Sequence, residues 1–291
     1  MTPPFAVHLS DGLLTWPWWV GGFALLAALL ALASLNLTDR DIPRIGVLSA
    51  AFFVSSQAHF DLGGTSVHLL LNGLLGVVLR HRAPLAITVG LFLQALLFGH
   101  GGWVTLGVNG CTMAIPAVLA GFLFPLLRAS PLRTSRVGRS AGVFAVAVVW
   151  LGFAVTAGQI LVAQYRGEEF DFRDPPPLWA FDPFVLAGIV TGSALLAFLE
   201  RRLEADPDFA LGLFVGLFAA GLTVLLTATA VWIGGKNDLR ALAALGVVTH
   251  VPVIAVEGLG VGFAVAVLAK AKPEWLGGSR PEPSRSAGRR I

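Results

Sequence analysis

The sequence predicts an all-α protein that crosses a membrane several times as a polytopic helix bundle. Hydrophobic residues make up 56% of the 291 residues, and charged residues only 13%, about half of the charged fraction found in soluble domains. The mean hydropathy is +0.79, and the apolar residues fall in long runs that a bilayer can cover. We therefore expect about seven to nine transmembrane segments.

Nine hydrophobic segments supply the predicted helices. A spanning helix needs about 20 apolar residues, and the third and fourth segments are shorter. We expect these two to form short helices or a re-entrant hairpin, which is allowed only where protein or water covers the backbone. In order, the segments cover roughly residues 14–35, 45–58, 66–79, 83–98, 108–127, 141–164, 182–199, 209–233 and 247–269.

The distribution of lysine and arginine predicts the orientation. With the N-terminus outside, 16 of the 20 basic residues fall on the cytoplasmic side, which is the side where short loops carry an excess of positive charge. The C-terminus is then cytoplasmic. Residues 1–275 form one integral membrane domain, with an acidic, proline-rich external loop at 165–182. The tail at 276–291 is rich in Pro, Ser, Gly and Arg and is expected to be disordered.

The charge and the cysteine content exclude other classes of protein. The sequence pI is about 9.6, but the basic residues lie largely in loops and in the tail. A nucleic-acid interface would concentrate them on a structured face, so we expect no nucleic-acid partner. Cys111 is the one cysteine, which excludes an internal disulfide.

Polar side chains are concentrated on the predicted external face. Polar groups at membrane depth are costly and mark function, and three histidine-bearing stretches meet there: 8–12, 59–76 and 93–116. They carry His8, Ser10, Asp11, His59, Asp61, Thr65, Ser66, His68, Asn72, Gln94, His100, Thr105 and Asn109. We expect a ligand or substrate pocket on this face.

Several of these residues also have a structural interpretation. His68 and Asn72 are four residues apart, on one face of the predicted helix, and could bond to a neighbouring helix instead. Gln94 and Asn109 are typical of links between helices. His100 lies in the sequence GHGG, where the glycines permit a tight turn.

Three polar residues lie outside these stretches. His81, between two arginines, is expected in a cytoplasmic loop. His250 and Glu257 share a face of the last helix, and Glu257 needs a partner or a proton at that depth. We expect it to brace a partner subunit or to line a transport path.

Three stretches carry a resemblance to a known family: GTSVHLLLNGLLGVVL (64–79), LFLQALLFGHGGWVTLGVNGCTMAIP (91–116) and THVPVIAVEGLGVGF (249–263). They resemble the CbiM/NikM family, the substrate-binding membrane subunits of energy-coupling factor (ECF) transporters for cobalt and nickel. The resemblance covers residues 8–128 and 209–275. Family members typically have six or seven helices, fewer than the nine segments predicted here. Either the stretch 140–208 or the segment boundaries are therefore in question.

The resemblance implies a metal site at His8 and His68. The family usually begins Met-His, so that the α-amine, the next amide nitrogen and the imidazole of residue two chelate the ion, and a further histidine completes a four-nitrogen plane. Such planes suit nickel and copper. His8 maps onto the first histidine and His68 onto the second. The supporting or pathway residues are Ser10, Asp11, Ser66, Asn72, Gln94, His100 and Asn109.

The position of His8 departs from the family pattern, because seven residues precede it and the amine of Met1 cannot join the chelate. One explanation is that residues 1–7 are a start-site extension. Initiation at Val7, through a GUG codon, would give Met-His-Leu-Ser-Asp-Gly. The other explanation is that the extension is real and is trimmed, or that this protein binds metal differently.

The resemblance also implies partners in a bacterial inner membrane. The sequence contains no Gly-x-x-x-x-Gly-Lys-Ser/Thr phosphate-binding loop, the motif that would allow the chain to hydrolyse ATP. We therefore expect a transporter subunit, not an enzyme, and no cofactor. Its expected partners are a CbiQ/NikQ-like coupling subunit, a CbiO/NikO-like cytoplasmic ATPase and a small accessory membrane subunit.

Three alternatives remain open on the sequence. The first is a b-type haem protein, with axial ligands among His59, His68, His100 and His250. The second is an intramembrane hydrolase using Ser66, although GTSVHL lacks a nucleophile-elbow pattern. The third is an ECF subunit for another solute. The sequence does not separate cobalt from nickel, since both prefer similar nitrogen ligands.

Overall fold

The prediction of a helical membrane bundle is confirmed. The structure is a computed structural model that describes residues 5–6, 8–57, 59–62, 65–165, 183–203, 206–236 and 239–277. Within these ranges the α-helices are α1 (Trp16–Ser34), α2 (Asp41–Ser55), α3 (Asn72–Leu79), α4 (Ala83–Phe98), α5 (Leu106–Ala129), α6 (Pro131–Thr134), α7 (Arg136–Tyr165), α8 (Pro183–Leu203), α9 (Pro207–Gly234) and α10 (Arg240–Ala271).

All nine hydrophobic segments contain a helix, but not all are long enough to span a bilayer. By length and composition, six stretches of the described residues can cross, and one shorter apolar helix, Pro183–Phe198, accompanies them. The total of seven counts Asn72–Phe98 as one stretch, although it contains two helices, α3 and α4. The six stretches are Trp16–Ser34, Asn72–Phe98, Leu106–Ala129, Arg136–Thr156, Pro207–Gly234 and Leu242–Ala271.

The stretch Asn72–Phe98 reverses direction, because the third and fourth segments form two short helices, α3 and α4; a re-entrant arrangement of the pair stays a prediction. A 3-10 turn at Arg80–Arg82 separates α3 from α4, and Arg80 has a positive φ of 55°. The residues that flank the far ends of the two helices, His68 and His100, have ring centroids only 5.4 Å apart. The helix α3, with 8 residues, is ~12 Å long, so it reaches only part of the way across the bilayer.

Close helix contacts depend on small residues. A Cβ atom on Gly76 in α3 would lie 2.0 Å from the carbonyl oxygen of Ala117 in α5. The backbones of α9 and α10 approach closely at Gly216 and Gly258, where a Cβ on Gly216 would lie 2.9 Å from the Gly258 Cα. Small residues allow this approach, which supplies van der Waals packing where the hydrophobic effect between helices is absent.

A small three-stranded sheet covers one end of the bundle and was not predicted. Strands β1 (Phe5–Ala6), β2 (His59–Leu62) and β3 (Thr65–His68) lie in the order β1-β3-β2. Strand β3 is parallel to β1 and antiparallel to β2. The prediction that His68 and Asn72 share a helix face is therefore wrong, because His68 ends a strand and α3 begins only at Asn72.

The sheet gives part of the N-terminal extension a structural role. Phe5 pairs with Thr65, and Ala6 pairs with Ser66. Removing residues 1–6 would remove β1 and leave β3 unpaired on that side. His8 follows two residues after this strand.

Charged side chains tie the helices together at the opposite end. Arg82 at the hairpin turn pairs with Asp41 at the start of α2. Asp208 in α9 lies 3.6 Å from the Nε atoms of both Arg128 and Arg133, and Lys270 lies 3.1 Å from Asp206. The histidine end and the arginine end are thus separated as the charge asymmetry predicts. Which end faces outside stays a prediction.

The membrane domain extends slightly beyond residue 275. Leu276 is buried, and Arg128 Nη1 donates a hydrogen bond to its carbonyl oxygen at 3.0 Å. The rest of the predicted tail, residues 278–291, lies outside the described residues, and so do residues 166–182 of the predicted acidic loop.

Candidate metal-binding site

Three histidines from three separate segments converge at the sheet end of the bundle. His8 follows β1, His68 ends β3, and His100 lies between α4 and α5. One ligand nitrogen from each lies within 4.8 Å of the other two. The exposed fractions of His8 and His68 are 2% and 1%, and His100 is half-buried. We call these residues the histidine cluster.

The ring geometry suits one small ligand. The His8 and His68 rings are stacked, with centroids 4.6 Å apart, and the His100 ring stands edge-on to both. A cavity of about 10 Å³ beside them is lined by His8 and His100, and this is roughly the room that one water-sized particle needs. Nitrogens that bind one ion at ~2 Å each lie at most ~4 Å apart, and the three ligand nitrogens, within 4.8 Å of one another, are near that spacing.

The segment after His8 is held by α5. Asn109 accepts a hydrogen bond from Leu9 N at 2.8 Å and donates to Leu9 O at 3.0 Å. Thr105 Oγ1 also donates to Leu9 O, at 2.5 Å. Both backbone groups of the residue next to His8 are thus fixed, and Asn109 supports the cluster without belonging to it.

Asp11 fixes the loop between His100 and α5. Its carboxylate accepts hydrogen bonds from the backbone N–H groups of Trp103, Val104 and Thr105 at 2.9 to 3.1 Å. A carboxylate that accepts these three N–H groups fixes the turn that leads into α5, and its negative charge is favoured near the start of a helix. Gly102 makes room for it, since a Cβ there would lie 2.1 Å from Asp11 Oδ1. The prediction that Asp11 orients the site is consistent with these contacts.

His68 is oriented by its own backbone and by α10. Its Nδ1 lies 2.9 Å from Leu69 O, and because a carbonyl only accepts, Nδ1 carries the proton. The next two amides, Leu70 N and Leu71 N, donate to the Glu257 carboxylate. The sequence singled out Glu257 because it lies within the last predicted membrane helix. The sequence did not predict this contact, because no local pattern reveals it.

Two other predicted supporting residues, Gln94 and Asn72, bond to neighbouring segments of the bundle. Gln94 Nε2 donates to Ser56 Oγ at 2.7 Å, and Asn72 Nδ2 donates to Thr223 Oγ1 at 2.7 Å. Both link neighbouring helices, as the structural interpretation has it. Ser10 is half-buried, and Ser66 lies in β3. His100, predicted as a supporting residue, is instead a member of the cluster.

The haem alternative does not fit this geometry. The rings of His68 and His100 are in edge-to-face contact, with centroids 5.4 Å apart, and a macrocycle does not fit between rings in such contact. His250 lies elsewhere, in α10, where its Nδ1 donates to Gly246 O at 2.6 Å. His59 lies in β2, and His81 is exposed in the turn at the arginine end.

The fold and the cluster together define a multi-pass membrane protein with three clustered imidazole side chains, two of which are buried. The family model CbiM, described as cobalt uptake substrate-specific transmembrane region, matches residues 8–190 and 183–275. The chain therefore belongs to the CbiM family, as its motifs predict. The matched regions include all three histidines and Glu257.

Individual relatives agree with the family. A protein of Haemophilus influenzae, provisionally named a metal transport protein, is 41% identical over 118 residues, which is 40% of this chain and 57% of the relative. The cobalt transport protein CbiM of Geobacter sulfurreducens is 28% identical over 77% of this chain and 60% of its own length. The chain thus spans about three fifths of the length of these relatives.

Two further similarities extend the comparison. A protein of Methanocorpusculum labreanum, provisionally named a fused cobalt transport protein CbiMQ, is 34% identical over 39% of this chain and 20% of its own. A crystal structure described as a truncated transition metal transporter aligns with 68% of this chain and 96% of its own, at 23% identity and a TM-score of 0.39. That structural similarity is too low to carry an argument.

Proposed function

We propose that the protein captures Co²⁺ or Ni²⁺ at the histidine cluster. The observation that carries this proposal is the convergence of three imidazoles from three segments, with ligand nitrogens within 4.8 Å of one another. Imidazole is a good ligand for first-row transition metals such as nickel. No described residue adds a carboxylate to the cluster, so the nitrogen ligands alone would hold the ion.

The proposal assigns His100 as the third ligand. In the family pattern an α-amine supplies a nitrogen beside the first histidine. Here β1 holds residues 5–6 against β3, and His100 stands edge-on to both other rings. The site is then built from side chains alone, and the start-site hypothesis becomes a competing proposal that experiment can separate.

We further propose that the chain is the substrate-specificity subunit of an ECF-type importer in a bacterial inner membrane. The histidine end faces outside and loads the ion. A CbiQ-like coupling subunit and CbiO-like ATPases power its release inward, aided by a small accessory membrane subunit. The CbiMQ fusion in a relative supports the coupling partner, because fused chains of this kind act in one assembly.

The first test is metal binding by the full-length protein in detergent, titrated with Co²⁺ and with Ni²⁺. We expect tight binding of one ion per chain and its loss in His68→Ala and in His100→Ala. His81→Ala is the matched control, because His81 is exposed at the opposite end. Equal affinity in His68→Ala and wild type would reject the site.

The second test separates the two N-terminal proposals. A form that begins with Met in place of Val7 is compared with the full-length protein. If both bind equally and both lose the ion in His100→Ala, the side-chain site stands. If only the short form binds, and binds without His100, the amine is the ligand and the start lies at Val7.

The third test addresses transport. Cells that produce this chain with a coupling subunit and ATPases should accumulate radioactive cobalt or nickel, and omission of the chain should abolish uptake. Uptake by this chain without any ATPase would reject the importer assembly while leaving the metal site intact.

A further inference from the structure

We infer that Glu257 is a positioning residue for His68 and acts on it through a single peptide group. This inference rests on the proposed metal site, and it adds a residue from α10 to that site. Glu257 lies 186 residues from Leu71 in the sequence, and its exposed fraction is 1%.

The first step is the peptide between Leu69 and Leu70. Its carbonyl oxygen accepts the proton of His68 Nδ1 at 2.9 Å, and its N–H donates to Glu257 Oε1. One planar amide therefore connects the imidazole to the carboxylate. The protonated Nδ1 leaves the lone pair of the His68 ring on Nε2, and this lone pair is what a metal ion binds.

The second step is the backbone that Glu257 holds. Leu71 N lies 3.1 Å from Oε1 and 2.9 Å from Oε2 of the same carboxylate. Leu71 has a positive φ of 48°, a left-handed conformation that is unfavourable for a residue with a side chain. The carboxylate offsets this cost, and α3 begins at the next residue. The turn that aims His68 thus depends on a contact with α10.

The third step is the electronic effect on the ring. A hydrogen bond to a carboxylate polarises the peptide, because bonds in a chain strengthen one another at low dielectric. The carbonyl then holds the Nδ1 proton more strongly, and Nε2 becomes a better donor to a metal. Removing a residue that holds a ligand without touching the metal typically lowers the metal affinity by about 10–100-fold.

The test compares full-length Glu257→Gln with wild type in detergent, using Co²⁺ alone as the probe. We expect the Kd to rise about 10–100-fold, and the visible ligand-field bands at saturating Co²⁺ to shift, because His68 becomes a weaker donor. The matched control is Asp208→Asn, which removes another buried carboxylate at the arginine end and should change neither quantity. A Glu257→Gln protein with a lower Tm, but with unchanged affinity and bands, would overturn the inference.

A second measurement needs no variant of Glu257 and no metal. Nitrogen-15 spectra of histidine-labelled wild type, assigned with His68→Gln, show which nitrogen of His68 carries the proton. A proton on Nδ1 is expected, and a proton on Nε2 would overturn the relay. Failure of wild type to bind Co²⁺ would instead reject the proposed function, and the spectra would still decide the orientation of His68.

Discussion

The two ends of the bundle use their carboxylates differently. At the histidine end, Asp11 and Glu257 accept backbone N–H groups. At the arginine end, Asp41 and Asp208 pair with arginine side chains, and the backbone N–H that Asp41 accepts comes from Thr38, three residues away. Backbone donors are fixed by the chain, whereas arginine side chains are long and adaptable. The first arrangement sets positions accurately, and the second joins helices with little demand on geometry.

This difference predicts which changes affect metal binding. Substitutions of the residues that position the histidine cluster should lower its metal affinity even where the three histidines are unchanged. Substitutions at the arginine end should affect stability alone. Four experiments test this contrast, from the largest expected effect to the smallest.

Lowering the pH should weaken Co²⁺ binding at the histidine end more than any of the substitutions below. Only neutral imidazole binds a metal, and free imidazole titrates near pH 6.5. Each histidine that must lose a proton lowers the affinity further as the pH falls, so Co²⁺ binding should weaken on the order of a hundredfold or more between pH 7.5 and 5.5. Equilibrium dialysis at several pH values measures this loss, and a flat profile would contradict imidazole ligation.

Gly102→Ala should displace residues that position the cluster without changing any of the three histidines. The added Cβ would lie 2.1 Å from Asp11 Oδ1 and 2.6 Å from Thr105 Oγ1, and such overpacking costs about 1–3 kcal/mol. We expect a lower Tm and a Co²⁺ affinity reduced by about tenfold or more. Gly21→Ala is the control, since nothing lies within 4 Å of a Cβ there. Equal affinities in the two variants would show that the loop tolerates displacement.

Asp11→Ala should have a smaller effect of the same kind. It removes the acceptor of three backbone N–H groups, and each hydrogen bond of this kind contributes about 0.5–1.5 kcal/mol. We expect His100 to become more mobile and the Co²⁺ affinity to fall severalfold. Calorimetric titration of Asp11→Ala beside Asp11→Asn, which keeps one acceptor oxygen, should rank wild type first, the Asn variant second and the Ala variant last. The reverse order would show that Asp11 does not hold the turn before α5 in place for metal binding.

Arg82→Gln should have the smallest effect. Its partner Asp41 is partly exposed, with a side-chain exposure of 16%, and such ion pairs contribute about 0–1 kcal/mol. The Tm should fall slightly, and the Co²⁺ affinity should match that of wild type. A clear loss of Co²⁺ affinity would mean that the two ends are coupled through the α3–α4 hairpin.

Much of the fold could be predicted because it depends on local composition. Each hydrophobic segment produced a helix, and the short third and fourth segments formed the short helices α3 and α4. The three-stranded sheet could not be predicted, since β1 has two residues and its partner β3 lies about sixty positions further along the chain. Short strands with polar residues carry no clear alternating pattern.

The candidate site, like the fold, could be predicted only in part from the sequence. The sequence by itself determined the membrane class, the segregation of arginine from histidine, and the family motifs that contain His8 and His68, since each of these depends on residue type and spacing. Only the tertiary structure decided that His100 joins the cluster and that Glu257 reaches the peptide after His68. These contacts join segments far apart in the chain, and their geometry depends on how the helices pack, which no local run of residues specifies.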